Sequence, residues 1–166
     1  MKTIGVRSRV ALFVSAIVLV VQISPARAGG DDGTGGNTHH KRVEVTFTKW
    51  ITTSPLMAGF VRGDVDGDFV GEVLDRKVSA NLLVTRLVAI YEVQAGGHSF
   101  TALIQGGQNN PGGIALGGKA LLDGFILTGW RTGARVHVEY VQMENCDGAP
   151  AGRCFEGTIT IERAED

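Results

Sequence analysis

Val43, Val45 and Phe47 alternate with Glu44, Thr46 and Thr48, and Phe155, Gly157, Ile159 and Ile161 alternate with Glu156, Thr158, Thr160 and Glu162 near the other end of the chain. Val136, Val138 and Tyr140 do the same against Arg135, His137 and Glu139. A period of two with one apolar and one polar face predicts half-buried strands, and three of them argue for an antiparallel sheet with one wet side. No amphipathic helical window of convincing length interrupts the pattern.

Turn chemistry divides the rest. Asp66 and Gly67 stand between two strand patterns and predict a tight hairpin with positive φ at both residues. Gly96 and Gly97 separate two more strands, Asn109 to Gly113 forms a longer loop, and Arg131, Thr132 and Gly133 close another hairpin. Eight strands result, near 43–49, 57–65, 68–75, 84–95, 98–106, 114–128, 134–143 and 154–162. Eight consecutive strands without helices to cover their edges predict an all-β fold, an eight-stranded antiparallel up-and-down β-barrel, because closure removes the exposed edges. A sandwich is the alternative. Glycines inside the strand patterns (Gly59, Gly63, Gly71, Gly118, Gly124, Gly129, Gly157) favour the barrel, as sites of sharp bending or close backbone approach. Trp50 and Trp130, beside turns, are expected to cap the barrel ends.

The strand near 84–95 is apolar on both faces: Thr85, Leu87, Ala89, Tyr91 and Val93 on one, Val84, Val88 and Ile90 on the other. An apolar outer wall predicts a contact between copies, with a covering loop or tail as the alternative.

Before the first strand the pattern changes character. Lys2, Arg7 and Arg9 precede an uncharged, mostly apolar run from Val10 to Ile23, and Ala26, Arg27 and Ala28 form an A-x-A box. These are the parts of a signal peptide in order. The chain is therefore expected to be secreted or periplasmic after cleavage following Ala28, with no membrane span left. Residues 29–42, with His39 and His40, read as a disordered linker, and 43–163 as the barrel domain. Removing the signal's four basic residues leaves 12 basic against 17 acidic side chains, a net charge of −5 in place of −1. That balance, with no basic cluster, argues against a nucleic-acid partner.

Few residues carry recognisable chemistry. No metal-ligand set, phosphate loop, serine elbow or dinucleotide fingerprint is present, so no cofactor and no metal are expected. Asp64, Asp66 and Asp68 imitate the start of a calcium loop, but Phe69 and Asp75 occupy the places of its glycine and glutamate. Cys146 and Cys154, an even pair in an exported chain, predict a disulfide around a short loop of small residues. His137 and Glu139 fall on a polar face. Glu92 and His98 flank the Gly96–Gly97 turn and are the weak candidates for an acid–base pair at a rim. Phe47, Tyr91, Phe100 and Tyr140 fall on inward faces, where they line a lumen or fill it.

The segment Tyr91–Thr101 (YEVQAGGHSFT), the run Gly117–Gly124 (GGKALLDG), the triplet Thr128–Trp130 and the run Gly133–Val138 (GARVHV) together resemble the allene oxide cyclase barrel-like group, which includes dirigent proteins. The resemblance spans about 43–162. It implies a closed eight-stranded barrel, frequently a homo-oligomer (trimer), with a lumen for a hydrophobic small molecule and no cofactor. Catalysis in that group is mostly steric, the cavity selecting one ring closure or coupling geometry. Three functions follow as expectations: a secreted barrel binding a small hydrophobic or amphipathic molecule in its lumen, a cofactor-free cyclase or isomerase using the same cavity, or a filled barrel serving as a structural or interaction protein.

Overall fold

The structure, a computed structural model, describes residues 42–162; the segments read above as a signal peptide and, up to Lys41, as a linker lie outside the described residues. The alternation closes into one sheet: β1 (Val43–Thr53), β2 (Leu56–Gly63), β3 (Gly67–Val78), β4 (Val84–Gln94), β5 (Phe100–Asn109), β6 (Lys119–Gly129), β7 (Arg135–Met143) and β8 (Cys154–Ile161). Each strand pairs antiparallel with the next, and β8 pairs back onto β1, giving a closed up-and-down barrel.

Three local expectations change. The strand expected over 114–128 begins only at Lys119, because Gly117 takes φ 73° and residues 114–118 form a loop, with Gly117 N–H donating to the Gln142 carbonyl. At the β2–β3 connection the left-handed residue is Gly63 (φ 121°), while Gly67 already belongs to β3. The turn is held by carboxylates instead: Asp66 accepts from Gly63 N–H and Asp64 from Glu44 N–H. Trp50 does not cap an end, because β1 runs on to Thr53 and leaves Trp50 on the outer wall, edge-on to Phe60. Trp130 packs against the core at the end where β1 begins.

Glycines allow the sheet to curl. A methyl group at Gly157 would overlap the Glu139 carbonyl oxygen, and one at Gly124 the Leu103 carbonyl oxygen. At both places the inward face carries backbone against backbone, where no side chain fits.

The interior divides along the barrel axis. Towards the start of β1 it is packed shut: Val45, Val61, Val93, Ile104, Val138, Ile159 and Ile161 are buried, and Val65 from the β2–β3 turn joins the same core. Above them Phe47, Phe69 and Tyr91 interlock, with Phe47–Phe69 ring centroids 5.9 Å apart and Phe69–Tyr91 4.8 Å apart. Beyond this aromatic layer, towards the ends of β1, β3, β5 and β7, the barrel opens.

On the outer wall, Ile90, Leu103 and Phe125 are register neighbours across β4, β5 and β6, so the apolar face predicted for β4 continues over two more strands. Phe125 is 55% exposed. His137 and Glu139 face outwards as expected, in a small charged network. His137 contacts Asp123 at 2.7 Å and Glu139 at 3.2 Å, and Lys119 reaches Glu139 at 3.0 Å. The Asp123 hydrogen bond, and then that of Glu139, raise the His137 pKa, while Lys119 and then His137 lower that of Glu139.

Candidate functional site at the open end of the barrel

The period of two that turns Val43, Val45 and Phe47 inwards also turns Lys49 inwards. Lys49 is 1% exposed and lies directly above the aromatic layer. Nζ sits 4.2 Å from the Tyr91 ring centroid, 4.1 Å from that of Tyr140 and 5.5 Å from that of Phe155, and it donates a hydrogen bond to the Tyr91 hydroxyl oxygen. Among the described residues, no carboxylate forms an ion pair with it. Ring faces offer a cation partial compensation, worth about 0.5–2 kcal/mol each, but they do not replace water. Burial accordingly pushes the Lys49 pKa well below the ordinary lysine value. The Tyr140 phenol is raised by the same burial, with nearby Arg76 acting in the opposite sense.

Lys49 and Tyr140 contribute to the floor of a 470 Å³ cavity that occupies the open half of the barrel. Its walls mix apolar side chains (Met57, Val73, Leu87, Phe155) with amide and hydroxyl groups from Thr85, Gln108 and Gln142. Thr85 and Gln108 are fixed from behind. Asn110 donates to the Thr85 hydroxyl, and the Gln108 amide donates to the Ala115 carbonyl.

The rim is cationic through a break in the strand pattern. The β3–β4 register shifts between Val73 and Asp75, so Asp75 pairs with outward Val88 and Arg76 pairs with inward Leu87. An unbroken period from Val73 would have put Asp75 inside and Arg76 outside. The bulge reverses them and brings Arg76 to the mouth. Arg153 reaches the mouth from the opposite side, next to Cys154, which is bonded to Cys146. The loop between the two cysteines folds back over the outer wall, with Gly148 beside the Phe60 ring. Asp75 is the carboxylate at this rim, and Lys77 holds it at 3.3 Å. A neighbouring groove of 430 Å³ shares Ala115, Gln142 and Arg153 with the mouth and adds exposed Ile114 and Leu116.

The candidate residues separate accordingly. Tyr140 lines the cavity; Phe47 and Tyr91 lie in the packed layer under it, and Phe100 is buried towards the closed end. Glu92 and His98 are not brought together: Glu92 lies on the outer face and accepts from Gln94, while His98 stacks edge-on against Trp130 at 4.6 Å. The residue missed from the sequence is Lys49. Its signal was the inward alternation, which runs one step beyond Phe47.

Comparison of the chain with family models, with curated proteins and with solved structures gives no match.

Proposed function

We propose that the protein is a binding barrel that takes one small hydrophobic or amphipathic molecule, apolar part inwards, in the open half of its lumen. The observation that carries this reading is the 470 Å³ cavity, whose size and mixed lining fall in the range of small-molecule sites. The resemblance to the allene oxide cyclase barrel-like group points the same way. A filled barrel would have no such space. Binding is favoured over a cyclase or isomerase activity because, among the described residues, the one carboxylate lining the cavity, Asp75, sits at the rim already paired with Lys77. The outer row of Ile90, Leu103 and Phe125 supports association of copies as part of the same reading.

The test is displacement of an environment-sensitive naphthalene dye by 1-decanol, followed by fluorescence. Saturable one-to-one displacement is expected, and Ala115→Trp, which puts an indole on a loop at the cavity wall, should weaken it at least tenfold with an unchanged circular dichroism spectrum. Dye binding that decanol does not displace, or that the indole does not affect, would reject the cavity as the site.

A further inference from the structure

A lysine is an unusual residue to enclose among aromatic rings without an acid beside it. Structural lysines in barrels stand on the wet face or in ion pairs, whereas Lys49 has neither and lies under a cavity large enough to hold a ligand. Desolvation is the means by which proteins make a lysine amine nucleophilic near neutral pH.

We propose that Lys49 is the amine of a carbonyl-capturing site: an aldehyde or ketone carried by an otherwise apolar ligand, held in the cavity, condenses with Nζ to form an imine. The inference rests on the binding reading above and adds the ligand's functional group to it. The Nζ lone pair adds to the carbonyl carbon, forming the C–N bond as the C=O π pair moves to oxygen. That oxygen takes up a proton to give a carbinolamine. A second proton converts its hydroxyl into departing water as the C=N bond forms. Both hydrogens lost by the amine leave in that water, so the step is redox-neutral and needs no co-reactant. The Tyr91 hydroxyl, hydrogen-bonded to Nζ, is the group placed to relay these protons. The aromatic walls exclude the bulk water that would reverse the condensation.

The titratable and charged groups around Lys49 and its cavity are Tyr91 from β4, Tyr140 from β7, Asp75 and Arg76 at the rim from the end of β3, and Arg153 at the rim beside β8. Burial raises the Tyr140 phenol, and the charged groups stand at the rim. Nothing among them restores a full counter-charge at Nζ.

The experiment incubates the intact protein with decanal at pH 7, reduces with cyanoborohydride, and maps the adduct by peptide mass spectrometry, with 1-decanol binding measured in parallel. Lys77 and Lys119 on the outer surface serve as internal comparators. The expected result is at least tenfold more adduct at Lys49 than at either, suppressed by excess decanol and lost in Lys49→Met. Decanol binding without preferential labelling of Lys49 would overturn the imine and leave the binding reading standing. Absence of both would overturn the two together. Labelling of Lys49 that decanol does not suppress would also overturn the proposal, since the carbonyl would not be arriving through the cavity. Because the mapping is done on the unaltered chain, the outcome does not depend on the variant folding.

Discussion

Lys49 is costly to the fold, and the cost has a sign that can be measured. The unfolded chain keeps its proton on this residue up to about the ordinary value of 10.5, whereas the folded chain releases it earlier. Between those two values the unfolded state binds more protons, so stability rises with pH across the window and is greatest above it. Lys49→Met fits the same space without the amine. It is expected to raise stability by about 1–3 kcal/mol at pH 7, less what the Tyr91 hydroxyl loses with its partner. The gap should narrow as the pH approaches 10. Urea unfolding of both proteins at pH 6, 8 and 10 checks this, and a gap independent of pH would mean that Lys49 stays protonated when folded. Tyr140 was legible in the sequence because an aromatic at an inward position is ordinary. Lys49 was not, because a lysine after an alternating run reads as the point where a strand leaves the core. Only the aromatic residues gathered from β3, β4, β7 and β8 make an inward lysine tolerable, and they are distant in sequence.

The strands themselves were readable, because alternation and glycine spacing act locally, and all eight lie where the pattern put them apart from their ends. What the alternation hid was its own interruption. Nothing in the residues Val73, Leu74 and Asp75 announces a bulge, since Leu74 suits either face; the partner strand decides it by pairing Val88 with Asp75. The presence of Arg76 at the mouth follows from that pairing alone. The tightness of the inward glycines gives a direct test at this scale. Gly157→Ala should destabilise by about 1–3 kcal/mol, because the added methyl meets the Glu139 carbonyl and backbone must move. Gly97→Ala, with nothing within 4 Å and no positive φ, should stay within about 0.5 kcal/mol of the parent. Thermal unfolding of the two variants side by side distinguishes them, and equal losses would mean that β8 does not approach β7 as described.

For the whole molecule, the disulfide joins stability to the site. A closed loop of this length contributes on the order of 2.5 kcal/mol by restricting the unfolded chain. Because Arg153 stands next to Cys154 at the mouth, replacing both cysteines by serine should cost that stability and also loosen the rim. The expected outcome is a lower melting temperature together with a several-fold weaker decanol affinity, measured well below the transition. A loss of stability with unchanged affinity would separate the loop from the site. The division between a packed half and an open half has a further consequence for how the chain can vary. Hydrogen exchange should be slowest near Val45, Val138 and Ile159 and fastest around the mouth, where residues 114–118 and the disulfide loop meet. The base of the barrel thus carries the folding energy, and the lip carries little of it. Residues at the lip can be exchanged at little cost to the fold, whereas a change in the base is felt by the whole barrel.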